Sequence, residues 1–235
     1  MALVWFAGRS GKAPELPATT PVDVAEVVQS KREVIGRSVE GRPLEAYTYG
    51  TGDKQLVFIG GIHGGYEWNS VLLAYQFMDY LEADPKMLPA NLTVTVIPSA
   101  NPDGVFRVTG REGRFVVADV STDNAVVTAG RFNANEVDLN RNFDCEWQPE
   151  STWRAKRVSA GTAPFSEPEA AALRDFVLKN NPAAVIFWHS QAGAVYASKC
   201  EAEILPETLE IMQAYATAAG YAAVKSFDHY AITGD

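Results

Sequence analysis

Residues 56–67 read LVFIGGIHGGYE, and this pattern is the most informative one for the fold. It opens with a short apolar run bounded by turn residues, which is typical of a strand buried on both faces of a parallel sheet. The same pattern recurs in AVIFWHS, residues 184–190. Open α/β sheets bind their ligands at the carboxyl ends of the strands. His63 and His189, two of the three histidines in the chain, therefore fall where an active site is expected.

Composition narrows the class of protein. A chain of 235 residues with 47% hydrophobic content can bury one core, so we expect a single main domain. The net charge of −9 argues against nucleic acid as a partner. No apolar stretch reaches the roughly 20 residues of a membrane span. Residues 2–7 are too short and lack the basic flank of a signal peptide. Cys145 and Cys200 can pair or stay free, so the compartment is left open.

Strand and helix patterns alternate along the chain, which indicates an α/β fold. We expect an N-terminal arm over residues 1–21 and one domain over 22–235. Within that domain the expected strands are 34–38, 44–49, 56–60, 93–97 and 184–188, and the expected helices are 23–31, 68–82, 166–180 and 207–219. Residues 98–104 have the composition of a turn, and 166–169 that of a capping box. Residues 105–165 show little periodicity, which favours a binding surface.

Three side chains at these strand ends could hold a metal. His63 or His189 alone could be a structural histidine, and Glu67 alone could cap the helix that follows it. Together, two imidazoles and a carboxylate are the ligand set of a catalytic zinc site with one position open for water. A second set lies in the irregular region, where Asn140 and Arg141 could grip a carboxylate or simply form a solvated turn.

The chain resembles the zinc carboxypeptidases of the carboxypeptidase A type, from about residue 33 to its last residue. The matching motifs occur in the family's order, and that order makes the match specific. They are the His63–Glu67 stretch, NPDG at 101–104, VDLNRNF at 137–143, PFSEPE at 164–169, His189-Ser190 and YAITGD at 230–235.

The resemblance implies a three-layer α/β/α fold with a mixed, largely parallel central sheet whose last strand and helix are missing here. It implies one Zn²⁺ per chain, held by His63, Glu67 and His189. Asn140 and Arg141 would bind the free C-terminal carboxylate of a peptide substrate. Catalytic roles would fall to Arg131, which would polarise the scissile carbonyl, and Tyr230, which would close over the substrate. Zinc-activated water would hydrolyse the peptide bond.

The sequence departs from the family at two points. Three residues separate His63 from Glu67 where the family usually has two, and we expect the extra residue to loop out so that Glu67 remains a ligand. The family's general-base Glu lies on a strand well after the Tyr, whereas this chain stops at Asp235. We therefore expect a truncated reading frame, feebly active by itself.

Two other functions stay open. One is a relative that trims cell-wall peptides or removes acyl groups from amino acids, because the Arg131–Arg141 spacing resembles the bacterial peptidoglycan-peptide branch. The other is a catalytically dead module that binds zinc or peptide termini. The resemblance favours secretion or the cell envelope, and the oligomeric state is left open.

Overall fold

The computed structural model describes residues 30–191, 193–198, 200, 203–225, 227 and 233–234. The arm expected over residues 1–21 and most of the helix expected over 23–31 lie outside the described residues. Lys31 itself begins a strand, so a helix reaching that residue was a wrong expectation. No helix in the described part of the chain is both long and apolar enough to cross a membrane.

Nine strands and five helices make up the regular structure of the described residues. The strands are β1 (Lys31–Arg37), β2 (Pro43–Gly50), β3 (Lys54–Ile59), β4 (Leu92–Ile97), β5 (Glu150–Trp153), β6 (Lys156–Ser159), β7 (Ala184–Phe187), β8 (Ala194–Tyr196) and β9 (Ala222–Val224). The helices are α1 (Trp68–Ala83), α2 (Pro102–Thr109), α3 (Asn124–Ala129), α4 (Pro168–Asn180) and α5 (Pro206–Ala219).

The central sheet has the strand order β1-β2-β4-β3-β7. β1, β2 and β4 pair antiparallel, whereas β3 pairs parallel with both β4 and β7. β5 and β6 form a separate hairpin, and β8 and β9 a separate parallel pair. The mixed sheet expected from the family resemblance is thus confirmed.

Successive residues of a strand point to opposite sides of the sheet, and helices pack on both of these sides. Phe58 packs with Val71 and Met78 of α1 on one face. Its neighbour Val57 packs with Leu173 of α4 on the other. β3 therefore carries apolar side chains on both faces, which is why its sequence reads as a continuous apolar run.

The strand register brings the two histidine-bearing segments together. Ile59, the last residue of β3, pairs with Phe187, the last residue of β7. Because the two strands are parallel, both chains leave the sheet at the same edge. His63 and His189 follow these strand ends by only a few residues, so the backbone alone delivers both imidazoles to one region.

Two local expectations, one on each side of the irregular region, differ from the structure. Residues 101–104 form the start of α2 and not a free turn, since the Asn101 side chain accepts a hydrogen bond from the Gly104 amide at 2.8 Å and Pro102 opens the helix. Both are helix-start residues. The predicted capping box does not form either. α4 begins at Pro168 after Glu167, which makes no side-chain capping bond.

Candidate metal centre and anion-binding loop

A single 3₁₀ turn, Gly64–Glu67, accommodates the extra residue between the histidine and the glutamate. Glycine is required at its second position, because a Cβ on Gly65 would lie 2.4 Å from Val108 Cγ2 and 2.6 Å from Gly104 O. Because they lack side chains, the glycines let the turn pack against α2, and His63 is only 5% exposed.

The turn and the end of β7 bring three side chains together. One ligand atom from each of His63, Glu67 and His189 lies within 4.8 Å of the others. His63 Nδ1 is 2.8 Å from Glu67 Oε1, and His189 Nδ1 is 3.2 Å from Glu67 Oε2. The two Nδ1 atoms are 3.3 Å apart. His63 and Glu67 are buried, whereas the His189 side chain is 35% exposed. Two imidazoles and a carboxylate that converge in this way fit a zinc ion with one side open to substrate.

The side chain of Glu67 does not cap the helix that follows it. It precedes α1, but its side chain makes no capping hydrogen bond to that helix. Its Oε2 accepts a hydrogen bond from the Ser190 amide at 3.1 Å, and the rest of the carboxylate faces the two histidines. This arrangement separates the metal-ligand interpretation of Glu67 from the capping one.

The protonation states in this cluster suit metal binding. Burial lowers the pKa of His63 to about 4, so its imidazole is neutral at pH 7. Burial by itself raises the pKa of Glu67, but hydrogen bonds with His189 and His63 outweigh that effect and hold the pKa well below its usual range. A neutral imidazole and an ionised carboxylate are the forms that bind a metal.

Asp138 joins the cluster to the irregular loop, and the sequence analysis gave it no role. Its Oδ2 accepts from Arg131 Nε at 2.9 Å and lies 2.7 Å from Arg131 Nη2, with both side chains buried. Its Oδ1 lies 3.7 Å from His63 Nε2, an atom with no hydrogen bond of its own among the described residues. A carboxylate behind a ligating histidine commonly orients the ring. That pairing rule was the signal that could have identified Asp138.

The structure brings the two other predicted anion-binding residues to the same loop. Arg141 is 1% exposed and donates from Nη1 to Asn140 O at 2.6 Å. Asn140 is partly exposed, and its backbone N–H donates to Asp138 Oδ1 at 3.2 Å. Asp138 therefore contacts the metal-ligand histidine, Arg131 and Asn140 at once. The roles of these residues toward substrate stay predictions.

Two further expectations have different outcomes. Tyr230, predicted to close over the substrate, lies outside the described residues. Cys145 and Cys200 form a disulfide. The bond ties the segment just after Arg141 to the chain that follows β8.

Comparisons with known proteins agree with this arrangement. The profile of the zinc carboxypeptidase family (M14 peptidases) matches residues 27–234. Among curated relatives, gamma-D-glutamyl-L-diamino acid endopeptidase 1 of Lysinibacillus sphaericus is 26% identical over 219 residues, covering 84% of this chain and 54% of that protein. Carboxypeptidase D of Mus musculus is 30% identical over 192 residues, covering 70% of this chain and 13% of that protein. The chain thus spans about half the length of the first relative.

Solved structures show the same fold. Carboxypeptidase A from Helicoverpa armigera superposes with a TM-score of 0.67 at 23% identity, covering 88% of this chain and 55% of that one. Murein-tripeptide amidase MpaA from Escherichia coli O157 superposes with a TM-score of 0.61 at 24% identity, covering 87% and 75%. With a family profile that spans nearly all of the described residues, the chain belongs to the zinc carboxypeptidase family.

Proposed function

We propose that this chain carries the zinc site of an enzyme that hydrolyses the C-terminal peptide bond of peptides. One observation carries the proposal. The convergent His63–Glu67–His189 cluster shares the carboxylate of Asp138 with a loop that presents Arg131 and the Asn140-Arg141 pair. One buried carboxylate thus links the metal ligands to the loop that carries the candidate anion-binding residues.

His63, Glu67 and His189 would hold the zinc, which when bound polarises a carbonyl and lowers the pKa of water. Asp138 fixes the orientation of Arg131 through two contacts to its guanidinium. A buried, preoriented guanidinium stabilises the negative charge that develops on a carbonyl oxygen, without reorganising during the reaction. Asn140 and Arg141 would bind the terminal carboxylate and so place the last peptide bond beside Arg131.

The reaction also needs a group that takes the proton of the attacking water. Among the described residues, the carboxylates of Glu67 and Asp138 are already engaged, Glu67 with both histidines and Asp138 with Arg131. The family resemblance places the general base on a strand after Tyr230. Proton transfer by such a base contributes roughly 10²–10⁴-fold in rate.

A second candidate substrate is a cell-wall peptide. It is favoured by the resemblance of the chain to a protein named as a gamma-D-glutamyl-L-diamino acid endopeptidase, 26% identical over 84% of this chain. The chemistry would be the same, amide hydrolysis beside a free carboxylate. The two candidates differ in the residue on the amino side of the bond.

The decisive experiment compares a peptide with its C-terminal amide. The zinc-loaded protein is expected to bind the free acid at least ten-fold more tightly, because a charged hydrogen-bonding partner contributes about 1.5–3 kcal/mol. Arg141→Lys keeps the charge but loses the planar fork, so it should lower this preference several-fold. Arg157→Gln, at an exposed ion pair with Glu150, is the matched control. Equal binding of acid and amide would contradict the proposal.

A further inference from the structure

The β5–β6 hairpin presents a cation beside the metal centre that the proposed chemistry does not use. Arg154 is exposed at the hairpin turn. Its Nη2 donates to the hydroxyl of Tyr66 at 3.1 Å, and its guanidinium lies 5.5 Å from the Trp153 ring centre. Tyr66 sits in the turn between His63 and Glu67, so this cation is anchored to the metal-binding segment itself.

Arg154 and Tyr66 each keep a hydrogen-bond donor that has no partner among the described residues. No carboxylate there lies within 4.0 Å of Arg154, although the chain as a whole has a net charge of −9. Neighbouring Arg157, by contrast, pairs with Glu150. The Tyr66 hydroxyl accepts from Arg154, so its own O–H remains available to donate. A guanidinium edge and a phenol O–H side by side suit a carboxylate.

The backbone conformation at Arg154 does not favour an arginine. The hairpin turn has two residues, and Arg154, the first, has a φ of 55°. Glycine is the favoured residue in such a conformation, and other residues there are strained. A strained arginine in place of glycine points to a role for its side chain.

Two consecutive hairpin residues contact arginines of the loop, and the next hairpin residue is itself an arginine. The Thr152 carbonyl faces Arg141 Nη2 at 3.5 Å, and the Trp153 ring lies 4.5 Å from the Arg131 guanidinium. Arg154 follows at the tip. An extended peptide advances about 3.3 Å per residue, as a strand does. With its terminal carboxylate at Arg141 and its scissile carbonyl at Arg131, a substrate would direct its preceding residue toward Arg154.

We infer that Arg154 and Tyr66 form a subsite for a second substrate carboxylate, carried by the residue on the amino side of the bond to be cleaved. The inference rests on the proposed function, because that function sets the direction of the peptide. The substrate class is an acidic peptide. The carboxylate can be the side chain of an ordinary glutamate, or the free α-carboxylate of a glutamate joined through its γ-carboxyl.

The test measures binding of four peptides to the zinc-loaded protein at low ionic strength. Acetyl-Ala-Glu-Ala is compared with acetyl-Ala-Gln-Ala, and the γ-linked glutamyl isomer with its α-amide. In each pair the acid should bind about five-fold more tightly, the size of an exposed ion pair. The larger ratio identifies the source of the carboxylate. Salt at about 1 M, where the Debye length is roughly 3 Å, should remove most of the difference.

Variants separate this subsite from a structural role for Arg154. Arg154→Gly should reduce the ratio of the two affinities within each peptide pair to about one. The thermal midpoint of unfolding should stay the same or rise, because glycine relieves the backbone strain. Arg154→Lys should keep part of the ratio, and Tyr66→Phe should reduce it. Arg157→Gln on the same hairpin should leave the ratio unchanged.

The outcomes distinguish the subsite from the proposed function. A wild-type ratio near one, with a free C-terminus still required, overturns the subsite and leaves the function standing. Equal loss of the ratio in Arg157→Gln also overturns it, because a general surface field would then explain the preference. A ratio that persists without any need for a free C-terminus supports the subsite and counts against the proposed function. Failure to bind any of the four peptides overturns both.

Discussion

The two histidine-bearing strand ends and the loop that carries Arg131 and Arg141 lie side by side, but different interactions hold them. Strand pairing places the histidines, because Ile59 and Phe187 are partners in a parallel register. Within the described residues, the loop is paired with a strand only at an isolated bridge between Val137 and Ser159. Its arginine positions depend on buried polar contacts between residues far apart in sequence.

Those contacts are specific and buried. Asn133, close to Arg131, donates to Glu167 Oε2 at 2.7 Å and to Glu169 Oε2 at 3.2 Å. Asn142, next to Arg141, donates to Ala160 O at 2.7 Å. A satisfied buried network of this kind rigidifies a loop, but losing one member leaves its partners unpaired. The strand-end region should therefore tolerate changes in its polar surroundings better than the loop does.

The largest expected effect is at the strand ends themselves. The wild-type chain should retain about one zinc after dialysis, and His63→Ala or His189→Ala should abolish it, because each removes one of three ligands. Glu67→Gln should weaken binding less, since an amide oxygen remains. Metal analysis and zinc-dependent thermal stabilisation measure both. Glu33→Gln, on β1 at the far edge of the sheet, is the control. A folded wild-type chain without zinc would disprove the ligand assignment.

The next effect tests whether Asp138 couples the two regions. Asp138→Asn leaves the buried Arg131 without its counter-charge, and breaking a buried ion pair costs about 3–5 kcal/mol. Zinc affinity should also fall about 10- to 100-fold, as for other carboxylates behind a ligating histidine. Denaturant unfolding and a zinc titration measure the two quantities. Asp175→Asn removes an exposed pair with Arg174 and should change neither. If stability falls but zinc affinity does not change, Asp138 supports the loop and not the metal ligands.

The same contrast explains what the sequence could predict. α1 was predicted because its apolar residues recur at helical spacing, and the core strands because their apolar residues form short runs. α4 was predicted from a capping box that does not form. The start of α2 was missed although Asn101 and Pro102 are helix-start residues, since the same residue types also favour turns. The loop was harder for a physical reason. The pairing of Asp138 with Arg131 and the stacking of Trp153 on Arg131 join segments that only the folded chain brings together.

For the candidate site, composition and strand ends located the ligands but not their support. The sequence allows Glu67 to be either a helix cap or a metal ligand. The structure decides between them, because the Glu67 side chain makes no capping hydrogen bond to α1. Cys145 and Cys200 could pair or stay free, because pairing depends on a distance that spacing along the chain does not fix.

The smallest effect concerns the 3₁₀ turn Gly64–Glu67, which packs against α2. An alanine at Gly65 would drive its Cβ against Val108 and the Gly104 carbonyl, and such overpacking costs about 1–3 kcal/mol. Because the displaced turn joins His63 to Glu67, zinc affinity should fall together with stability. Gly110→Ala is the control. Its Cβ would meet no atom within 4 Å, so only its left-handed φ of 64° would cost stability, and zinc affinity should hold. If both variants lower zinc affinity equally, general destabilisation explains the loss. If Gly65→Ala lowers it alone, the packing of this turn against α2 sets the geometry of the metal ligands.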